Sequence, residues 1–536
     1  MNVWTSLRAR VAGAVRTAVQ GEAPLSTRSA EHGAPALGAF AFTHAGPPGH
    51  TLPLAPSGWD IDPNDGSPLP SGPAAHAAFP SHGGREMHQH RWFAELAHAY
   101  ALGNSEAGVM AIISLETWLR HDRPGHGVAW EHASDATARL LHWHAGLAWL
   151  GDSAPLDLRA ALAGSARWHL AHLASRQPWG SHEGHRRVSH DVGRLVGGLL
   201  FREIPGGREE WSQAITALGR DAPALLCPDG SPRSGSLPLA LQSAWLLVLA
   251  ALIARANGVA LPAAARGAAS RLVHFVYRIA GETGSLPPVG AECSPLPLIF
   301  HEFPVAWSCW NLALALDMAE GDPSPQADLD PRRAWSFGGP VPPTSPARQG
   351  WSMFSFAADG WVVATTRVRN EPLRVLSHAR QACSGPYANP TPHTVWVDLG
   401  GTPMLRGEAD NSLIVADSAR QRSGLKVARV DGKKARIEGR TLLGDAQAWE
   451  RDVLLNQQRV LVTDRLTQPG RVRLRWTFGD GWDRDGEAPV FKLQRGAHQV
   501  VVQLPTRLAW QHDSHCITGH GELGAGEQLV SSFEIR

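Results

Sequence analysis

From residue 85 to about 318 the apolar positions recur every three to four residues; beyond residue 350 they alternate. The first pattern predicts helices over Met87–Leu102, Ser105–Arg120, Leu156–Ser175, Ser189–Glu203, Arg208–Leu226, Leu237–Asn257, Pro262–Ala280 and Pro304–Met318. A further helix has Ser134 as its candidate N-cap and carries Leu140, Trp143, Leu147 and Leu150 at i, i+3, i+7 and i+10. The second pattern predicts strands at Trp361–Thr366, His393–Asp398, Val427–Val430 and Arg459–Thr463, with Asp431-Gly432, Gly400-Gly401 and Pro469-Gly470 as turns. Gly235-Ser-Leu-Pro238 is echoed by Gly284-Ser-Leu-Pro287, a spacing that suits two helices and their loops, though a Gly/Pro-rich chain also produces such echoes by composition.

Proline and glycine punctuate these two regions. The expected organisation is an N-terminal segment with a Pro/Gly-rich loop (1–84), a helical domain (85–320), a Pro-rich linker (321–350) and an antiparallel β-sandwich (351–536). The fold class is therefore multidomain, α then β.

Composition narrows the function classes. Fifty Lys+Arg stand against 49 Asp+Glu, a net charge of +1, which removes the general electrostatic case for a nucleic-acid partner. No uninterrupted apolar run approaches the roughly 18–20 residues that span a bilayer, so no transmembrane segment is expected and Ala244–Ala254 reads as part of a buried helix. Five widely spaced cysteines form neither a disulfide framework nor a CxxC zinc pattern. Arg16 interrupts the only apolar patch near the start, so no signal peptide is evident. The expectation is a cytoplasmic protein, or a periplasmic or secreted one if export is non-standard. Aromatic usage is lopsided, with 21 Trp, 14 Phe and 3 Tyr.

Three passages resemble the heparinase II/III-like family of polysaccharide lyases: Trp130-Glu-His-Ala-Ser-Asp-Ala-Thr-Ala-Arg139 with Trp143, His182-Glu-Gly-His-Arg-Arg-Val-Ser-His190, and His393-Thr-Val-Trp-Val-Asp-Leu-Gly-Gly-Thr-Pro-Met-Leu405. Glu450-Arg-Asp-Val-Leu and Val462-Thr-Asp-Arg465 fit a sandwich segment of the same kind. The resemblance spans roughly residues 85–536. It implies an incomplete (α/α) toroid followed by an antiparallel β-sandwich, with an acidic polysaccharide or oligosaccharide bound in the cleft between them.

Such a lyase cleaves a uronate glycoside by β-elimination. A donor neutralises the carboxylate beside C5, a base takes the C5 proton, and an acid protonates the departing O4. His182, His185, Arg186, Arg187 and His190 form a cationic loop leading into a helix start near Ser189, whose N–H groups suit a carboxylate. By the resemblance His190 is a catalytic candidate, and His185, Arg187 and Ser189 are substrate-binding candidates, with Ser189 standing where the family usually has Asn. Arg233, in Asp229-Gly-Ser-Pro-Arg-Ser234, offers a bidentate grip on a carboxylate, although relatives often carry a Tyr after this Asp-Gly turn. In the sandwich, His378 is a substrate-binding candidate, while Tyr387 and His393 are catalytic candidates; Tyr100 and Tyr277 fall on helical patterns and read as packing residues.

No cofactor is required by this chemistry. His378, Cys383 and His393 offer three ligand types for a structural divalent metal, at a spacing that is not specific. Two other functions fit the same architecture. A non-catalytic glycan-binding or polysaccharide-assembly protein accommodates the departures at Ser189 and after Asp229. A glycoside hydrolase needs two flanking carboxylates, for which Glu183, Asp191 and Glu302 are candidates.

Overall fold

A computed structural model describes residues 87–101, 103–122, 124–126, 128–175, 184–201, 204–290, 296–297, 304–321, 351–379, 394–405, 413–415, 421–431, 433–443, 447–456, 458–479, 482–512 and 516–536. Its helical part contains α1 (Arg91–Ala101), α2 (Ser105–His121), α3 (Ala133–Leu150), α4 (Leu156–Ser175), α5 (Gly184–Leu200), α6 (Gly207–Ala224), α7 (Leu237–Ala256), α8 (Ala263–Ala280) and α9 (Val305–Ala315).

These helices form two series. α1, α3, α5, α7 and α9 pack on one another in order, and α2, α4, α6 and α8 form a second layer against them. This is the arrangement of an incomplete toroid of helical hairpins. The burial pattern follows from it: α3, α5 and α7 are buried nearly all round, whereas α4 and α8 bury one side. α7 is long and apolar enough to cross a membrane, but it is enclosed by α5, α8 and α9 as a central core helix. Close packing of α5 depends on glycine, since a Cβ at Gly193 would strike the Thr137 hydroxyl and one at Gly198 the Gly207 carbonyl.

Three helix starts differ from expectation by more than a residue or lose an expected cap. α1 begins at Arg91 rather than Met87, because Met87–Gln89 is a separate 3-10 turn and His90, at φ +59°, interrupts the helical backbone between them. α3 begins at Ala133 with His132 as its N-cap and no side-chain capping bond, so Ser134 lies inside the first turn. α5 begins at Gly184, five residues before the expected start. Val188, Val192, Leu195, Val196 and Leu199 continue one buried face, and burial of that face carries the helix back to Gly184.

The β part is antiparallel throughout. A five-stranded sheet runs in sequence order: β1 (Ser352–Phe356), β2 (Trp361–Val368), β3 (Glu371–His378), β4 (Thr394–Leu399) and β5 (Thr402–Leu405). An eight-stranded sheet comprises β7 (Gln421–Asp431), β8 (Lys434–Leu443), β9 (Gln447–Asn456), β10 (Arg459–Leu466), β12 (Asp483–Glu487), β13 (Val490–Arg495), β14 (His498–Gln503) and β17 (Gln528–Ile535), in the order β12-β13-β14-β17-β10-β9-β8-β7. A four-stranded sheet has the order β15-β16-β11-β6, with β6 at Leu413–Val415, β11 at Gly470–Thr477, β15 at Ala509–His512 and β16 at Cys516–Leu523.

The five-stranded sheet is the middle layer of the molecule. Trp361, Val363, Leu376 and Trp396 join the helical core, while their neighbours Val362, Ala364, Val375, Val395 and Val397 join the sandwich core. Burial on both faces explains why Trp361-Val-Val-Ala364 is a continuous apolar run rather than an alternating one. On the helical side Arg374 reaches across the junction. Its Nη1 donates to the carbonyls of Ile279 and Ala280 at the end of α8 and to that of Ser285, at 2.9, 2.7 and 2.6 Å. Its Nε donates to Asp398 at 2.7 Å. A guanidinium placed at a helix C-terminus satisfies orphan carbonyls and complements the dipole.

Candidate functional site

Three pieces of chain meet on the helical side of the middle sheet. The first is the turn between α6 and α7. Arg233 N–H donates to Leu225 O at 2.8 Å and Cys227 N–H to Ser231 O at 2.9 Å, closing the turn, with Gly230 at φ +88°. Asp229 stabilises it from within, its Oδ1 accepting from the Ser231 N–H at 3.1 Å and the Ser231 hydroxyl at 2.6 Å.

The second piece is the β1–β2 turn. The other oxygen of Asp229 accepts from the Ala358 N–H at 2.7 Å, pinning the helical turn to the sheet. One residue on, Asp359 is buried and accepts from Trp361 Nε1 at 2.9 Å. His378, at the end of β3, stacks flat on the Trp361 indole with centroids 3.7 Å apart. Its Nε2 lies 3.1 Å from the Asp359 carbonyl and 3.7 Å from that residue's carboxylate. A carbonyl only accepts, so Nε2 carries the hydrogen and Nδ1 is the basic nitrogen of the neutral ring. Gly360, at φ +74°, is required beside it, because a Cβ there would collide with the Ala379 carbonyl.

The third piece is the first turn of α5. A Cβ added to Gly184 would sit 3.2 Å from the Leu225 side chain, so this helix start abuts the Leu225–Arg233 turn. His185 and Arg187 are half-buried and Arg186 is exposed. Burial, and secondarily Arg186, push His185 down to about 4, so it is neutral at neutral pH. Arg187 lies 3.6 Å from Asp221, which also receives a two-pronged contact from Arg220 at 3.0 and 2.7 Å.

The expected cationic loop is thus corrected on two counts among its described residues. They are helical, and His185 and His190 are not cations at neutral pH. His190 is buried in α5, its Nδ1 3.2 Å from the Leu173 carbonyl, and burial lowers it to about 4. The Ser189 side chain is buried too, and its own carbonyl is taken by the Thr137 hydroxyl at 3.0 Å. Positive charge near the junction therefore comes from Arg186, Arg187 and the exposed Arg233.

Tyr387, His393, Cys383, His182, Glu183, His301 and Glu302 lie outside the described residues. The ends of the segment carrying Tyr387 and His393 are described. It leaves β3 just after His378 and returns at Thr394, and these two residues are register partners on neighbouring strands. Among the described residues no three His, Cys, Asp or Glu side chains group to hold a metal ion, and two of the three expected ligands fall outside them.

Sequence reasoning missed Asp359. Its signal was the Asp359-Gly360 pair directly before an apolar run, which marks a turn leading into a strand. Cys227, also near Asp359, has its thiol pushed up by burial and by that carboxylate, so it stays protonated. Tyr100, Tyr277, Trp307 and Trp310 pack. Tyr100 bonds Ser153 at 2.6 Å, Tyr277 stacks on Trp310 at 4.2 Å, and Trp307 donates to the Gly281 carbonyl at 3.0 Å.

A helical toroid followed by antiparallel sheets is the fold of solved heparinase III structures. No family model and no curated protein matches the sequence. Among solved structures, heparinase III is similar with a TM-score of 0.63 and 14% identity, over 88% of this chain and 79% of that one. A second heparinase III gene product gives 0.59 and 12%, over 84% and 78%. A heparan sulfate lyase from Pedobacter heparinus gives 0.55 and 12%, over 84% and 77%. The chain has the fold of these proteins.

Proposed function

We propose that the protein is a polysaccharide lyase that cleaves an acidic, uronate-containing glycan by β-elimination at the junction of toroid and sheets. The observation that carries this reading is the convergence, on one side of the middle sheet, of His378, the Leu225–Arg233 turn and the start of α5, with the chain that holds Tyr387 and His393 departing beside His378. Arg233 and Arg187 offer guanidinium groups for the uronate carboxylate, whose neutralisation lowers the cost of removing the C5 proton. A base from the sandwich side, Tyr387 or His393, takes that proton. The C5–H electron pair becomes the C4=C5 double bond, the C4–O4 bond breaks, and an acid delivers a proton to O4. His378 acts as a positioning residue, held by Trp361 and Asp359. His190 has no part in this scheme, since its ring is committed to α5 packing.

Incubation with a panel of uronate polysaccharides, followed by ultraviolet absorbance, tests the proposal. An unsaturated-uronate band is expected, and His393→Ala reduces its rate by at least about 10²-fold. New reducing ends without the band would identify a hydrolase and overturn the reading. A second reading, glycan binding without cleavage, is favoured by one observation: the Ser189 and His190 side chains, where the resemblance puts site groups, are both buried in the helix packing. Binding of the panel with no product of either kind would establish it.

A further inference from the structure

Two carboxylates come together where α5 packs on α6. Asp191 follows Arg187 by one helical turn, so the two project from the same side of α5. Asp221, on α6, lies 3.6 Å from the Arg187 guanidinium, and its charge acts on Asp191 more strongly than that of Arg194 or Arg220. The Asp191 and Asp221 side chains are only 2% and 7% exposed. The arginines around them are held unequally. Arg194 lies 3.9 Å from Asp191 and donates to Glu210 and Gln213 at 2.6 and 2.9 Å. Arg220 donates to both oxygens of Asp221, at 3.0 and 2.7 Å. Arg187 stands beyond hydrogen-bond length from Asp221, so the pair acts on it by charge.

Arg187 belongs to the first turn of α5, the end that abuts the Leu225–Arg233 turn. A second negative charge in this buried setting strengthens the hold on its guanidinium, and a glycan carboxylate that takes Arg187 competes with that hold. Burial, and next the Asp221 charge, raise Asp191 to about 7, so the cluster gains a negative charge near neutral pH. The other charges acting on Asp191 come from Arg194 on its own helix and Arg220 on α6, while His185 and His190 of α5, lowered to about 4, stay neutral there. α3 and α4 meet α5 through Thr137, Leu140, Leu170 and Leu173, and α7 carries no charged residue before Arg255.

We propose that Asp191, with Asp221, is a positioning residue for Arg187, and that a glycan carboxylate at Arg187 is bound together with a proton on Asp191. This rests on the reading above that Arg187 meets the uronate; it does not depend on cleavage. The two bindings are reciprocal, since whatever releases the proton weakens the glycan and the glycan in turn retains the proton. Affinity for an anionic glycan is therefore highest below pH 7 and falls as pH rises through it.

Binding of fluorescently labelled alginate and heparan sulfate oligosaccharides to the full chain, followed by polarisation from about pH 6 to 8 and extrapolated to zero time, tests this. Their acid groups stay ionised over that range, so the probe itself does not titrate. Wild-type affinity is expected to fall about 3- to 10-fold from the low to the high end, a one-unit change of Asp191 on ligation being tenfold. Asp191→Asn, neutral at every pH, is expected to keep the low-pH affinity throughout. Arg187→Gln is expected to bind weakly with no slope, and it decides the matter if the Asn variant does not fold. A slope kept by either variant, or missing from the wild type, overturns the proposal. So does equal weakening by Asp191→Asn at all pH values, the mark of a purely structural role. The expected slopes without unsaturated-uronate product refute the lyase and keep the linkage, and cleavage with a flat binding profile does the reverse. No binding of either probe overturns both.

Discussion

Two fully buried arginines, one in each half of the molecule, are set between pairs of tryptophans and end in opposite electrostatic states. Arg451 on β9 lies 4.9 Å from the Trp449 ring and 5.4 Å from Trp476. Asp464 matches it with two contacts, at 2.7 and 2.9 Å, and also accepts from Trp449 Nε1 at 2.8 Å. Arg139 on α3 lies 5.6 Å from Trp118 and 5.3 Å from Trp130. Its partners are neutral: His169 Nε2 and the His88 carbonyl, both at 2.7 Å. Burial brings Arg139 down to about 10 and, with the Arg139 charge second, holds His90 and His169 well below the ordinary histidine range. His90 also sits at φ +59°. The sandwich neutralises its buried charge by direct contact; the toroid gives its buried charge neutral direct partners and leaves the Asp122 and Asp135 carboxylates to act on it without contact.

That contrast is open to direct attack. The largest effect is expected from Arg451→Met, which strands the Asp464 carboxylate in the core and should cost about 3–5 kcal/mol in denaturant unfolding. Arg139→Met strands neutral direct acceptors, with Asp122 and Asp135 acting on the guanidinium without contact, so its cost should be about 1–3 kcal/mol. Equal costs for the two variants would erase the distinction. A smaller effect, with a distinctive sign, is expected at Asp191. Burial first, and then the neighbouring Asp221, raise Asp191 to about 7. A carboxyl raised in the folded state contributes stability at low pH that is lost as pH climbs from about 4 through 7. Asp191→Asn should therefore stabilise the protein at pH 8, on the order of 1 kcal/mol, and do little at pH 4. Stability lost at both pH values would show that the carboxylate itself is needed.

The buried histidines give the toroid the opposite limb. His98, His142, His185 and His190 are lowered to about 4, 3, 4 and 4, chiefly by burial. The unfolded chain binds more protons than the folded one between those values and the ordinary 6.5, so stability falls as pH drops through that window. Circular dichroism on acidification from pH 7 to 4 should show helix lost before sheet. Sheet lost first would mean that matched ion pairs, not buried imidazoles, govern acid sensitivity.

Periodicity made most of the fold legible. Leu156–Ser175 has the expected bounds, Leu237–Ala256 differs by one residue, and Asp431, Gly400 and Gly470 stand at strand ends or turns as their turn chemistry implied. The site was less legible because its geometry is set by groups far apart in sequence. Asp229 is separated from Ala358 by 129 residues, and Arg374 from Ala280 by 94. The Gly-Ser-Leu-Pro echo illustrates the limit. Its first copy opens α7, with Ser236 as N-cap, while its second comes after a short 3-10 turn and stays irregular up to Val289, which accepts from Leu237 N–H at 2.9 Å. Local sequence supplies a left-handed glycine in both copies, and tertiary context decides whether a helix or an irregular run comes next.

The middle sheet, with one face given to each core, has a consequence for how the two halves can change. Along β3 and β4 odd and even positions answer to different neighbours, so neither half can drift, be exchanged or be excised without rewriting every second residue of the other. A slip of one position would deliver Arg374 and His378 into the sandwich interior and hand Leu373 and Val375 to the helices. The strands that carry Arg374 and His378 are therefore held in register by two independent apolar cores, and the position of His378 is fixed from behind by residues on the opposite face of the sheet.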